Sequence, residues 1–285
     1  MPWVSRKLLS SEYLRNTNID EMEVNFTAAS IAGYWIAAVF GWFSYLIFWL
    51  IWRRKTGEGW FPVVSGIVAY IVISLVRGIL NIIFLRGFLA NYFTVGLISG
   101  VCEEAGKFLV FRYVLYEKKN PRTAISYAVG HGGTESVFVC GINGISHIGL
   151  IIGLAYRIMD REKFMGYLSG TEEEKYQFVS QYAQIGFFGN MLTVFDILSG
   201  MALCAALSVL VFMAVHSDNT KKLLLYAAGI HTAADFIQGQ MFGGQISIER
   251  TLVSLCITAG TVYFVYMIYR KYSEENTYMD FGGIT

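Results

Sequence analysis

Three short stretches of this 285-residue chain place ionisable side chains where their apolar neighbours would exclude them. The first is Glu103-Glu104-Ala-Gly-Lys107. Adjacent residues on a helix project about 100° apart, so the two acids face different partners. Lys107 lies three residues beyond Glu104 and four beyond Glu103, within reach of either. It can hold one carboxylate ionised and leave the other to titrate. The second stretch is Gly130-His131-Gly-Gly-Thr134-Glu135. His131 and Glu135 share one helical face, a spacing that suits two ligands of one metal ion or an acid orienting an imidazole. The third, His231-Thr-Ala-Ala-Asp235, repeats that spacing. Each stretch alone also fits a packing contact that pins two helices.

Together, carboxylates and imidazoles in a low-dielectric cavity can hold Zn²⁺ or another divalent metal with an open position, and lower the pKa of its water. They can also activate water without metal, with Glu as base and His as acid or oxyanion donor. Both routes hydrolyse an amide. Proton or cation transport is a third use of intramembrane acids and histidines. The chain has no Gly-x-Ser-x-Gly and no His-Glu-x-x-His motif, so neither of those hydrolase types has support.

The elements that must position these residues are membrane helices. Hydrophobic residues make up 55% of the chain and charged residues 15%, against roughly 25% in soluble domains. Mean hydropathy is +0.48. The apolar residues fall in runs of about 18 or more, the length of a bilayer span. We expect an all-α polytopic transmembrane bundle of about seven spans, at 31–52, 61–85, 92–116, 123–156, 185–215, 223–242 and 252–269. The fourth is long and glycine-rich, so a break there, giving eight, is the alternative. A mixed-charge loop is expected at 157–184. Residues 1–29 form a polar N-terminal segment without a signal peptide, in which Trp3, Val4, Leu8 and Leu9 could lie on the membrane surface. Residues 30–271 form one transmembrane domain, and 272–285 a polar tail. With seven spans, the basic clusters Arg53–Lys55, Lys118–Arg122, Lys221–Lys222 and Arg270–Lys271 fall on one side. The positive-inside rule makes that side cytoplasmic and puts the N-terminus outside. Net charge of +1 predicts no nucleic-acid partner. Cys102, Cys140, Cys204 and Cys256 sit apart in apolar runs and read as small buried hydrophobes.

A charge at the bilayer centre costs at least about 2.5–3.5 kcal/mol, so each of these groups needs a partner, water or an ion. Depth suggests a shared one. His131 is nine residues past Arg122 and His231 nine past Lys222, about 13 Å along a helix in both cases; Glu104 is eight before Arg112, about 12 Å. Other polar residues read more blandly. Arg77 and Asn81 could neutralise the acids. His147 and Asn143 form a structural pair. Asn190 and Asp196 start the fifth span near the outer interface, and His216 is solvated at the cytoplasmic one.

The ordered set Glu103-Glu104-x-x-Lys107, Gly-His131-x-x-x-Glu135 and His231-x-x-x-Asp235, spanning about 100–236, resembles the YhfC family of intramembrane metalloproteases. That family is similar to the PrsW proteases and the CAAX prenyl endopeptidases, which are glutamic-type membrane peptidases. The related enzymes end their second motif in His, whereas this helix offers both His131 and Glu135, which keeps metal and glutamic chemistry both open. The resemblance implies a bacterial plasma-membrane endopeptidase acting on a membrane peptide or protein. Glu103 would be the water-activating base with Glu104 beside it, or the reverse. His131, Glu135 and His231 would orient water, bind metal together with Glu104, or hold the oxyanion, and Asp235 would orient His231. A proton-coupled or metal-ion transporter and a non-enzymatic membrane scaffold or immunity protein are the competing readings.

Overall fold

A computed structural model describes residues 25–85, 91–142, 144–242 and 247–275. The expectations for Trp3, Val4, Leu8, Leu9, Asn143 and residues 276–285 of the tail lie outside these residues, as does the side chain of Cys140; 272–275 are not tail but the last turn of the final helix. Among the described residues every regular element is helical: α1 (Ala28–Thr56), α2 (Trp60–Phe84), α3 (Tyr92–Leu109), α4 (Arg122–Glu135), α5 (Ile145–Ile158), α6 (Arg161–Gly166), α7 (Glu172–Ala183), α8 (Phe187–His216), α9 (Thr220–Phe242) and α10 (Ile248–Glu275). Four are long and apolar enough to cross a membrane, namely α1, α2, α8 and Ile248–Ser273 of α10. Their outward faces carry exposed Trp35, Ile47, Leu75, Ile82 and Tyr263, a surface suited to lipid rather than water. The chain is an integral membrane protein.

The mast of the bundle is α8. Leu207 to Val215 is buried without interruption, so this helix is apolar all round because it is surrounded all round. Phe111, Leu115, Tyr127, Leu223 and Ala227 pack onto it in one core. The site helices are brought together by glycine. A Cβ on Gly66 of α2 would run into the carbonyl of Tyr127, and one on Gly130 of α4 into the carbonyl of Val63. On the other side, a Cβ at Gly100 of α3 would lie 2.8 Å from Thr232 N of α9. Small residues here let backbones approach as they do in lipid-embedded helix pairs.

The long fourth segment is not one helix. α4 stops at Glu135, continues as a π-helical turn over Ser136–Ile142, and α5 starts afresh at Ile145. A second π turn, Val110–Val114, follows α3. Such turns often mark functional sites, and both here directly follow helices that carry the ionisable motifs.

Two expectations are corrected here, those for 157–184 and for His216. The 157–184 stretch is not a loop: it folds into α6 and α7, capped by Asp160 and by a Thr171–Glu174 capping box. Phe164, Met165, Tyr176 and Val179 carry it onto Tyr34 and Leu150, a second core. Asn190 lies in the first turn of α8, at the start of that span as expected, and is fully buried where α1 lies over it at Gly33. His216 is packed between Phe212 and Tyr116, with ring centroids 4.5 and 5.7 Å away and Nε2 sealed from solvent. His147 lies against Trp42, ring centroids 5.7 Å apart.

Candidate functional site

The three motifs meet. Glu103 and Glu104 lie mid-way along α3 and diverge, as adjacent helical residues must. Glu104 turns toward α9: its Oε1 accepts from Lys107 Nζ at 2.7 Å and from His231 Nδ1, also at 2.7 Å. A carboxylate accepts only, so Nδ1 of His231 carries a proton in this contact. Glu104 and Lys107 are wholly buried. Glu103 turns toward α2 and α4. Its Oε1 accepts from Arg77 Nη1 at 2.5 Å, and that guanidinium nitrogen also donates to Ser99 Oγ at 3.2 Å. Its Oε2 lies 3.5 Å from His131 Nε2 and 3.8 Å from His231 Nε2.

Asp235 Oδ2 is 3.8 Å from His231 Nε2, close enough for charge attraction but not for a hydrogen bond. Glu135 is half-buried and makes no hydrogen bond to a described residue, though it lies within electrostatic range of Glu103, His231, Arg77 and Asp235. Within the three motifs, Glu104 Oε2 and His131 Nε2 are buried and have no hydrogen-bond partner among the described residues. The site opens on the side of Asp235, whose side chain is 38% exposed, and of Arg77, at 23%.

All seven residues singled out from the sequence, Glu103, Glu104, Lys107, His131, Glu135, His231 and Asp235, therefore belong to one neighbourhood. Arg77 does neutralise an acid, Glu103, whereas Asn81 keeps a buried, unpartnered Oδ1. Sequence reasoning missed Tyr70, Tyr127 and Ser99. Tyr127 hydrogen-bonds His131 Nδ1 at 3.2 Å, and Tyr70 stands edge-on to the same ring, centroid to centroid 5.3 Å. A signal was present: Tyr127 precedes His131 by four residues, and Tyr70, Ser74 and Arg77 recur on one face of α2.

Among the described residues, no three His, Cys, Asp or Glu side chains form a ready-made metal cage. The donor chemistry nevertheless fits a divalent cation. Four carboxylates, Glu103, Glu104, Glu135 and Asp235, stand against two fixed cations, Arg77 and Lys107. The carboxyl groups outnumber the fixed cations, and imidazole and carboxylate atoms face one point. Cys102, Cys204 and Cys256 are free thiols.

A helical membrane protein with acids, imidazoles and trapped cations converging inside the bundle carries a polar centre of the kind that marks a functional site within lipid. The family model for the YhfC intramembrane metalloproteases matches residues 36–258, and the chain belongs to this family. The match reaches well beyond the 100–236 section that carries the motifs, taking in most of α1, all of α2 and the first part of α10. No curated protein and no solved structure matches the chain.

Proposed function

We propose that the chain is an intramembrane endopeptidase that hydrolyses a peptide bond of a membrane protein at the Glu103–His131–His231 convergence. One observation carries the reading: Glu103 Oε2 faces imidazole nitrogens from two other helices at 3.5 and 3.8 Å, so a carboxylate and two imidazoles converge on one point. A packing contact has no use for this surplus of polar groups.

In the proposed reaction, Arg77 occupies Oε1 of Glu103 and leaves Oε2 as the basic atom. Oε2 takes a proton from water as the water oxygen attacks the scissile carbonyl carbon. The same proton then passes to the departing amide nitrogen as the C–N bond breaks. Glu104 and Lys107 hold His231 in place through Nδ1, and Asp235 stands beside its Nε2. When a divalent metal such as Zn²⁺ is bound, it would polarise the carbonyl and lower the pKa of its water; His231 Nε2 would hold it, with Glu135 alongside, leaving Glu103 Oε2 free as the base.

The domain is proposed to sit in the plasma membrane of a bacterium, with the N-terminus outside, the C-terminus cytoplasmic and the site in the cytoplasmic half. Support comes from the basic ends. Glu58, in the α1–α2 connection, feels Lys118 and Arg122 of the α3–α4 connection, and Tyr116 packs on His216 at the end of α8. These basic segments thus share one face of the bundle.

The test is cleavage of a defined membrane substrate in proteoliposomes by Glu103→Ala, Glu104→Ala and His231→Ala. All three should lose activity while still inserting. Full proteolysis by all three refutes the reading.

A further inference from the structure

The two histidines of the centre look alike in sequence, but they are held by different chemistry. His231 Nδ1 meets a carboxylate, which can only accept. His131 Nδ1 meets a phenol, Tyr127 Oη, at 3.2 Å. A phenol can donate or accept, and the tautomer of His131 depends on which it does.

Burial decides. Tyr127 and His131 are both fully buried, and their rings stack with centroids 5.6 Å apart. Among the described residues, the Tyr127 hydroxyl makes no hydrogen bond other than this one. If His131 carried its proton on Nδ1 and donated, the phenolic proton would be stranded in the core with no acceptor. With the phenol donating to Nδ1, each proton faces an acceptor, since the Nε2 proton then points to the Glu103 carboxylate, whereas the reverse leaves the phenolic proton with none; the phenol donates and Nδ1 accepts. A neutral imidazole bearing its lone pair on Nδ1 carries its proton on Nε2. That Nε2 is the sealed, unpartnered atom facing Glu103 Oε2 at 3.5 Å.

We infer that Tyr127 is a positioning residue that holds His131 with its proton on Nε2, so that His131 enters the centre as a hydrogen-bond donor and not as a metal ligand. The inference deepens the peptidase reading and takes its meaning from it: the N–H points to where a peptide carbonyl oxygen gains charge. It also divides labour between the histidines. His231, with its proton on Nδ1, is the one whose Nε2 can offer a lone pair. Tyr70, edge-on to the His131 ring, keeps the imidazole from rotating away.

The test reads protonation directly and does not need turnover. Full-length protein labelled with ¹⁵N-histidine is reconstituted in nanodiscs, and His131 is assigned by difference against His131→Gln. The expected result is a protonated Nε2 and a bare Nδ1, with Tyr127→Phe showing a mixture of tautomers. A wild-type His131 protonated on Nδ1, before or after Zn²⁺ addition, overturns the inference, and this measurement stands even if Tyr127→Phe fails to fold. In the cleavage assay, His131→Gln, whose amide places an N–H near the position of Nε2, should retain at least about tenfold more kcat than His131→Ala, with KM unchanged. Equal loss in both variants overturns the donor role. A wild type that cleaves no substrate but shows the expected tautomer refutes the peptidase reading and leaves the Tyr127 assignment supported.

Discussion

Two buried polar clusters hold helices of this bundle together, and their difference separates glue from chemistry. Between α8 and α10, Ser199 Oγ meets Ser254 Oγ at 3.0 Å and Thr258 Oγ1 at 2.7 Å, and Thr258 also reaches the Ser199 carbonyl at 3.3 Å. The groups are neutral and short, and each hydroxyl has a partner. Among α2, α3, α4 and α9 the groups are charged and long, and two sealed atoms, Glu104 Oε2 and His131 Nε2, lack partners. A cluster built only for cohesion satisfies itself. One that keeps unspent polar capacity at considerable desolvation cost is arranged to receive something.

This contrast sets four expected outcomes, the largest first. Glu103→Gln keeps the shape and removes the base, so kcat/KM should fall by about 10²–10⁴-fold with little change in melting temperature. Comparable loss from Ser199→Ala would erase the distinction between the clusters. Lys107→Met strips Glu104 of its buried cation and leaves an uncompensated charge, which should destabilise the fold by about 3–5 kcal/mol, read in thermal unfolding in detergent. Arg77→Met frees Glu103 Oε1 at the partly exposed mouth. Steady-state cleavage should show kcat down by about 10–100-fold, with Arg77→Lys intermediate because a point charge replaces a planar fork. Ser199→Ala should cost about 0.6 kcal/mol, the average for hydrogen bonds between membrane helices, and leave cleavage unchanged.

Much of the site was legible in the sequence because lipid is so intolerant of charge. Glu103, Glu104, His131 and His231 stand out against apolar runs, and their similar distances from basic flanks place them at one depth. That argument needed only helical rise and the positive-inside bias, and the separations of 2.7–3.8 Å agree with it. The partition between the acids was not legible. It depends on which neighbour each side chain meets across α2 and α9, and those meetings are set by Gly66, Gly100 and Gly130, whose role is visible only when backbones touch. Tyr127 escaped notice because an aromatic residue in a membrane helix is unremarkable until its hydroxyl is found on an imidazole. The folding of 157–184 was hidden for the opposite reason. Its charges read as a solvated loop, while Phe164, Tyr176 and Val179, spread thinly among them, bury themselves against α1 and α5. The break after Glu135 was readable from its glycines, but the π turn that makes it was not.

The central claim is that water is activated at Glu103 and added across a peptide bond inside the bundle. Cleavage of a single-pass membrane substrate in proteoliposomes prepared in H₂¹⁸O tests it, with mass spectrometry of the fragments. The wild type should place ¹⁸O in the new C-terminal carboxylate, and Glu103→Gln, folded to the same melting temperature, should form the labelled fragment at least about 10²-fold more slowly. Labelled product formed at the wild-type rate by Glu103→Gln would contradict the account.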